Sequence, residues 1–422
     1  MTVAILFCSL AAFFLIGMPI AFALGLSSVL AIVYLDVPLT MSVQKLFTAN
    51  DSFPLMSIPF FILAGALMTR GGISIRLVAL ANAVVRGRAG GLAIVAVLGS
   101  MFFGAISGSP VSTVAAVGGI LIPSMVALGY KPEFCGAVHA TAGPLGGLIP
   151  PSIALIIYGV CANQSISVLF VATVLPGILM GIALMLVAAT IAKRRGYGGT
   201  LEQTQSTGAL LRESIWALFM PIIILGGIYS GVFTPTEAAV VAAVYALVIG
   251  IFVYRELALK DLSAIFLDTV IGTATIMIII NFSTVFSWVI AAERLPQIIT
   301  ESILALTDNK HLIMALITAI LLIVGTFMDA APAILIFTPV FLPLVVKLGY
   351  SPVHFGIIMC TNLLIGLSTP PVGVTLFMSS RISGVKVDKI IGEAWPFIAA
   401  MISVLILIII FPQISLWLPK FM

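Results

Sequence analysis

Residues 143–159 read GPLGGLIPPSIALIIYG, with three glycines and three prolines in the first nine positions of an apolar segment. Glycine and proline are the two residues that most disfavour a continuous helix. A second apolar segment, NLLIGLSTPPVGVTLFMSS at 362–380, carries a similar interruption. Irregular backbone at membrane depth is tolerated only where it is buried in protein or lines a polar cavity. The two segments therefore predict broken helices that build a site inside a membrane protein.

The composition places this site in a lipid bilayer. The chain has 422 residues, of which 61% are hydrophobic and 8% are charged, whereas soluble domains carry roughly 25% charged residues. Apolar runs of about 18 residues or more recur along the chain, and they are continuous rather than alternating, which predicts helices and not a barrel. The net charge of +4 gives no indication of nucleic-acid binding. No HExxH, GxSxG or clustered acids are present, so the sequence does not indicate an enzyme.

The chain contains an internal repeat. A shift of 220 residues places 123–151 over 343–371, and 11 of the 29 positions are then identical without gaps. The identities include a shared LGY-P and a shared G-xxx-PP, which apolar bias alone does not produce. Self-similarity at a fixed spacing indicates repeated structure. We therefore predict two homologous halves, with a first repeat at 1–200, a linker and connecting helix at 201–232, and a second repeat at 233–422.

Positive charge predicts that the two repeats are inverted. Basic loops of membrane proteins lie on the cytoplasmic side. The loop at 69–90 carries Arg70, Arg76, Arg86 and Arg88 without an acid, whereas its repeat partner at 289–310 carries three acids against two basic residues. One path satisfies the basic loops: the N-terminus, 70–90, 193–212, 255–261 and 380–389 lie inside, and 36–53, 160–165, 233, 292–310 and the C-terminus lie outside. In this path, a single apolar span at 3–34 carries the chain outward.

The same path requires two segments that enter and leave the membrane on one side. These predicted re-entrant hairpins are 91–129 and 311–346, and each precedes a predicted broken helix, at 134–159 and 353–378. The hairpins turn at GAISGSPVST (104–113) and GTFMDAAPA (325–333). The breaks release backbone carbonyls, which together with hydroxyls are oxygen ligands for a small cation, and helix N-termini favour an anionic group. Inverted repeats with discontinuous helices are typical of secondary transporters.

Each of these features also has a purely structural interpretation. A proline pair or GxxxG motif in a membrane span is also typical of a kink or of close packing, and serine or threonine hydroxyls can bond back to the preceding turn. Asp329, identified here as the only acid within a deep apolar run, is either the N-cap of a hairpin arm or a functional acid. No lysine or arginine of the site is evident from the sequence, so helix ends and hydroxyls would hold an anion.

At these residues the sequence resembles a known family. Four stretches are similar to the large membrane (M or DctM-type) subunit of tripartite ATP-independent periplasmic (TRAP) transporters, in the ion transporter superfamily. The similarity covers nearly the whole chain. The stretches are SIPFFILAGALM (57–68), FFGAISGSPVSTVAAVGGILIP (102–123), GLIPPSIALIIYG (147–159) and GTFMDAAPAILIFTPVFLP (325–343).

The resemblance implies sodium-coupled import of an organic acid, of the C4-dicarboxylate or sialic acid class, across the bacterial inner membrane. It implies two partners, a small four-helix membrane subunit and a periplasmic solute-binding protein. It also implies an elevator mechanism, in which a transport domain moves past a scaffold domain. The expected fold class is an all-α polytopic membrane protein with inverted repeats. A stand-alone sodium- or proton-coupled carboxylate carrier of the same superfamily is the alternative, and a channel is disfavoured because paired hairpins favour alternating access.

The resemblance also assigns residues to at least two sodium sites and a solute site. The first sodium site would be built largely from carbonyls, at Gly104, Ser107, Gly146, Ile149 and Pro150. The second would include Gly325, Met328, Asp329, Gly366, Thr369 and Pro370. Solute would lie between the two sites, in contact with Ser109, Ser112, Thr113, Pro332 and Asn362. The tips differ, ISGSPV against TFMDAA, so the two sodium sites are expected to differ chemically.

Overall fold

The computed structural model describes residues 1–85, 90–197 and 207–422, and these residues contain helices and no strand. Arg86, Arg88 and residues 198–206 of the predicted linker region lie outside the described residues. The α-helices are α1 (Thr2–Leu15), α2 (Ile20–Tyr34), α3 (Thr40–Thr48), α4 (Ser57–Arg70), α5 (Ile73–Val85), α6 (Gly91–Ser107), α7 (Pro110–Ala127), α8 (Pro132–Ala142), α9 (Leu145–Leu148), α10 (Ile153–Cys161), α11 (Ile166–Arg194), α12 (Thr207–Tyr229), α13 (Pro235–Val248), α14 (Leu259–Ala292), α15 (Leu295–Leu306), α16 (Lys310–Phe327), α17 (Ala330–Lys347), α18 (Pro352–Gly366), α19 (Val374–Ser383), α20 (Val387–Ile410) and α21 (Gln413–Leu416).

The length and composition of these helices suit a membrane. In the part of the chain that the structure describes, nine helices are long and apolar enough to cross a bilayer, or up to ten if a bent pair is counted as one span. That pair is Pro132–Leu148 with Ile153–Cys161, and its two parts are bent by 43°. The prediction of an all-α polytopic membrane protein is confirmed.

The helix bounds repeat along the chain at the spacing that the sequence indicated. Adding 220 to the bounds of α6 (91–107) gives 311–327, against Lys310–Phe327 observed for α16. The same shift takes α7 (110–127) to 330–347, the bounds of α17. It also relates α5 to α15, α8 to α18 and α11 to α20 within a few residues. The two halves therefore share one order of helices, and their opposed orientation in the membrane stays a prediction.

Both hairpins have two long arms joined by a very short turn. Between α6 and α7 only Gly108 and Ser109 intervene, and Gly108 has a φ of +62°, a conformation that glycine adopts without steric cost. Ser109 caps α7 by accepting a hydrogen bond from the Ser112 N–H, and Pro110 occupies the first helical position. Met328 and Asp329 join α16 to α17. The polar and helix-breaking residues of each tip therefore end one arm and start the next.

Side-chain contacts fix the start of α13. In TPTE at 234–237, the Thr234 hydroxyl accepts from the Glu237 N–H at 3.3 Å, and the Glu237 carboxylate accepts from the Thr234 N–H at 2.8 Å. This reciprocal capping satisfies two N–H groups that have no partner within the helix. Glu237 is thus a capping residue.

Three local predictions are wrong. The span at 3–34 is two helices, α1 and α2, joined by a turn that includes Gly17, and both pack on α14 through the pairs Phe7–Phe286 and Phe22–Phe282. A single crossing there does not exist, because Gly17 has a φ of +78° and Pro19 follows. The predicted loops at 69–90 and 289–310 contain the helices α5 and α15, which are too short to cross a membrane.

Candidate functional site

The first hairpin touches the first helix break through a close contact of backbone atoms. A Cβ atom on Gly104 of α6 would lie 2.6 Å from Gly146 Cα and 3.1 Å from the Leu145 carbonyl oxygen. Such distances leave no room for any side chain. Behind this contact, a Cβ atom on Gly146 would lie 3.0 Å from the Ser109 carbonyl oxygen. The structure therefore brings Gly104 and Gly146, which the resemblance assigned to the first sodium site, close to Ser109, which it assigned to the solute site.

Hydroxyl groups surround this contact. The Ser107 and Thr113 hydroxyl oxygens lie 3.2 Å apart, and both side chains are buried. The Thr113 hydroxyl also donates to the Ser109 carbonyl at 2.8 Å, and the Ser107 hydroxyl accepts from the Ser109 N–H at 3.5 Å. Hydroxyl oxygens have two lone pairs, so these local bonds leave acceptor capacity for a cation. The structural and the functional interpretation of these residues are therefore compatible.

The proline pairs remove donors in both halves. Pro150 and Pro151 have no N–H, so neither can donate a helical bond to the residue four positions earlier, Gly146 or Gly147. The Gly147 carbonyl is satisfied instead by the Ser152 hydroxyl. Among the described residues, no hydrogen-bond donor reaches the carbonyl oxygens of Gly146, Ile149 or Pro150. The first break thus presents three oxygens of the kind that a sodium ion requires.

The second break also meets its hairpin through glycine backbone, but its carbonyl oxygens have different hydrogen-bond partners. A Cβ atom on Gly366 would lie 2.5 Å from Gly325 Cα, so α16 and α18 also meet through glycine backbone. The Leu367 carbonyl accepts from the Thr375 hydroxyl at 2.7 Å, but the Gly366 carbonyl accepts from the Thr369 N–H at 2.9 Å. The Gly366 oxygen is therefore occupied where the Gly146 oxygen of the first break is open, so the two breaks differ at this position.

Hydrogen bonds tie each tip to the residues after its break. The Ile153 N–H donates to the Gly108 carbonyl at 3.5 Å, and the Gly373 N–H donates to the Thr326 carbonyl at 3.3 Å. The two donors are 220 residues apart, so the link is common to both repeats. Each tip is therefore hydrogen-bonded to the residues that follow the break facing it.

Asp329 occupies the N-cap position of α17, one of the two roles that the sequence left open. Its carboxylate accepts from the Ala330 N–H at 2.7 Å at the start of α17, as an N-cap would, and its side chain is exposed. Met328 is half-buried beside it in an extended conformation. The Thr369 hydroxyl donates back to the Ile365 carbonyl at 2.8 Å. Of the predicted second-site residues, Gly325 and Gly366 are in direct contact.

A central cavity of about 130 Å³ lies between the two halves. It is bounded by both hairpin tips, by both helix breaks and by α14. Its lining includes Gly108, Ser109, Gly147, Ile153, Thr275, Ile276, Ile279, Asp329, Ala330, Leu364 and Leu367. The structure therefore joins the four interrupted segments around one space, which is the arrangement predicted for a solute site.

The predicted solute residues are only partly assembled at this cavity. Ser109 lines it, whereas Thr113 is buried against Gly146 and Pro332 is buried in the first turn of α17. Asn362 is fully buried, and its amide donates to the Thr318 carbonyl of α16 at 2.7 Å. Ser112 lines a neighbouring cavity. In the described structure Asn362 holds two helices together, and its carboxamide oxygen has no partner there.

Sequence reasoning missed Asp268 and its ion pair with Arg70. Asp268 belongs to α14, within a candidate membrane span, so the prediction that Asp329 is the only acid in a deep apolar run is wrong. The stretch IFLDTVIG (265–272) carried the signal. Asp268 lines the neighbouring cavity and forms an ion pair with Arg70 at 2.9 Å. An arginine therefore adjoins the lining, although none was evident from the sequence.

The family model and two of the related proteins that match this chain all belong to TRAP transporters. The sequence model of a family described as "Tripartite ATP-independent periplasmic transporter, DctM component" matches residues 7–414. The chain is 41% identical to the C4-dicarboxylate TRAP transporter large permease protein DctM of Pseudomonas aeruginosa, covering 95% of this chain and 94% of that protein. It is 36% identical to the sialic acid TRAP transporter large permease protein SiaM of Vibrio cholerae, covering 96% and 95%.

Two further similarities concern a longer protein and a fold. The chain is 42% identical to the isethionate TRAP transporter permease protein DctMQ of Oleidesulfovibrio alaskensis, and the match covers 98% of this chain but 66% of that protein. Among solved structures, the YdaH transporter of Alcanivorax borkumensis aligns with a TM-score of 0.65 at 15% identity, covering 90% of this chain and 88% of that one. At this identity the likeness concerns the fold alone.

Proposed function

Because the chain belongs to the DctM-component family of TRAP transporters, we propose that it is the large permease subunit of a sodium-driven importer of an organic anion. The named solutes of the three relatives, isethionate, C4-dicarboxylates and sialic acid, are all organic anions. The observation that carries the proposal is the central cavity, where two hairpin tips and two helix breaks meet. The partners are a small membrane subunit and a periplasmic solute-binding protein, and the location is the bacterial inner membrane.

Sodium would bind at each tip and the break that faces it. At the first site, the open carbonyl oxygens of Gly146, Ile149 and Pro150 and the Ser107 hydroxyl are available. At the second, the Thr369 hydroxyl keeps a free lone pair beside the Gly325–Gly366 contact. Binding would order tip and break together and so complete the walls of the solute cavity. Solute affinity then depends on sodium because only the ordered state binds well.

We expect Ser107→Ala or Thr369→Ala to raise the sodium concentration for half-maximal uptake by about tenfold. The reason is that a hydrogen bond or ligand contact to a charged group contributes about 1.5–3 kcal/mol, and 1.4 kcal/mol is a factor of ten. The measurement is initial uptake over a sodium series, with purified complex in liposomes.

Ser403→Ala is the matched control for this series. Its hydroxyl lies on the exposed side of α20 and only bonds back to the Ala399 carbonyl at 2.8 Å. We expect a wild-type midpoint for this variant. If Ser107→Ala and Thr369→Ala also keep the wild-type midpoint, the sodium assignment is incorrect.

We also propose that the tips and breaks move as one domain along a scaffold that contains α4 and α14. Three cavities of about 350, 130 and 390 Å³ follow α14 from Asp268 to Ser287. The 19 residue steps from Asp268 to Ser287 rise about 28 Å, close to the thickness of a bilayer core of about 30 Å. The first tip rests on α4, where a Cβ atom on Gly65 would lie 3.5 Å from Ser107 Cβ. Movement along α14 would carry a solute site from one face toward the other.

A reversible cross-link between tip and scaffold tests this movement. The Cβ separation expected for Gly65→Cys with Ser107→Cys falls within the 3.5–4.5 Å that a disulfide needs. In a background without Cys8, Cys135, Cys161 and Cys360, we expect oxidation to reduce uptake at saturating sodium to background. Reduction should restore the activity of the Ser107→Cys single variant, which is the control. Uptake that persists in the fully cross-linked protein would contradict an elevator movement of this tip.

A further inference from the structure

A second cavity adjoins the central one on the side of α4. Its volume is about 350 Å³, and its walls are the first hairpin tip, α4 and α14. It shares Ser109, Ile153 and Ile276 with the central cavity, so the two spaces are neighbours along the same tip. We call it the α4–α14 cavity. The serine-rich tip therefore forms part of the wall of both cavities.

The charged residue in the lining of the α4–α14 cavity is Asp268, which forms an ion pair with Arg70. Asp268 of α14 lies in its lining, and the Asp268 carboxylate accepts a hydrogen bond from the Arg70 guanidinium at 2.9 Å. Among the described residues that line the two cavities there is no lysine, arginine or histidine. Arg70 is therefore the cation that is bonded directly to this lining. It lies five residues after Gly65 on the same helix, a rise of about 7.5 Å from the point where Ser107 rests on α4.

The side chains of the Arg70–Asp268 pair are partly exposed, and the charged residues near it are bonded to other partners. The side chains of Arg70 and Asp268 are 44% and 62% exposed, and exposed ion pairs contribute little net stability, so the pair can open at small cost. The adjacent charges have other contacts, since Arg76 bonds to Glu256 at 2.7 Å and the Asp261 carboxylate caps the start of α14. An acid within a membrane span is a functional candidate by default.

We propose that Arg70 and Asp268 form a charge-exchange pair on the solute path at the predicted cytoplasmic end of α4. The acidic group of the solute displaces the Asp268 carboxylate from Arg70, and Asp268 binds Arg70 again when the solute has left. Arginine binds carboxylate and related anions through the same planar donors, so solute and Asp268 compete for one partner. This inference rests on the proposed function, because it needs an anionic solute.

The two members of the pair are expected to have opposite effects. Arg70→Gln removes the transient anion site, so the interior solute concentration for half-maximal exchange should rise about tenfold, as expected for loss of a charge-assisted bond. Asp268→Asn leaves Arg70 without its competitor, so the same concentration should fall and net release should become slower. The sodium midpoint should not change in either variant.

The measurement uses the complete transporter with its membrane and periplasmic partners in liposomes, loaded with a series of interior concentrations of isethionate, succinate or sialic acid. Arg195→Gln is the control, because Arg195 pairs with Glu393 at 2.8 Å, has comparable exposure and lines neither cavity. Opposite shifts in the Arg70 and Asp268 variants support the exchange. If both variants change the interior affinity in the same direction, or not at all, the pair only tethers α4 to α14 and the inference is overturned. If the wild-type complex takes up none of the three anions, the proposed function fails with it.

Discussion

Replacing Gly366 with alanine will reduce sodium-driven uptake by at least about tenfold. The new Cβ atom would lie 2.5 Å from Gly325 Cα and 2.7 Å from the Gly325 carbonyl oxygen. These neighbours are backbone atoms, so no side chain can rotate away and α16 must separate from α18. Overpacking of this kind typically costs about 1–3 kcal/mol, and 1.4 kcal/mol is a factor of ten in an equilibrium. The strain falls on the contact between the second tip and the second break.

A glycine of the first repeat, Gly104, allows an independent test of the same kind. In Gly104→Ala the Cβ atom would lie 2.6 Å from Gly146 Cα, and we expect a comparable loss of uptake. Gly119→Ala and Gly392→Ala are matched controls, since a Cβ atom there meets nothing within 4 Å and alanine is the better helix former. Each variant is compared at equal amounts of monodisperse protein. Normal uptake and a normal sodium midpoint in Gly104→Ala and Gly366→Ala would show that these contacts do not build the transport site.

The chain alone in liposomes is expected to show no sodium-driven accumulation above background. The family is tripartite, and relatives that match this chain over nearly their whole length are named large permease proteins. Because the proposed function includes two partners, we expect accumulation only after a small membrane subunit is co-reconstituted and a solute-binding protein is supplied.

The experiment compares three preparations with the same sodium gradient: the chain alone, the chain with the small subunit, and both with the binding protein. Liposomes that contain only the small subunit and the binding protein are the control for leakage. Accumulation by the chain alone would favour the alternative, a stand-alone carboxylate carrier of the same superfamily.

Much of the architecture could be predicted because it follows from local chemistry. The 220-residue shift found in the sequence recurs in the bounds of α6 and α16 and of α7 and α17. The hairpin tips could be located because Gly108, Pro110 and Ser109 end one helix and start another by known rules. The predictions failed where a continuous apolar run contains a turn, as at Gly17, or where a short apolar helix was assigned to a loop because of nearby basic residues, as for α5.

The site residues show the same division. Gly104, Gly146, Gly325 and Gly366 were predicted as members of the sites, and all four make close backbone contacts. Asn362 was predicted to touch solute, but its amide faces α16, because the direction of a buried side chain depends on the helix packed against it. Asp268 was missed because the role inferred for it depends on its contact with Arg70, which lies 198 residues away in the sequence.

The sequence by itself determined that carbonyls would be released at two places. Pro150, Pro151, Pro370 and Pro371 lack an N–H, and this covalent fact holds in any fold. Only the tertiary structure decided which of those carbonyls stay open. The Ser152 and Thr375 hydroxyls occupy the oxygens of Gly147 and Leu367, while the Gly146 oxygen has no donor among the described residues. Hydrogen-bond partners and cavity walls come from segments far apart in the chain, so their identity depends on packing that no local pattern encodes.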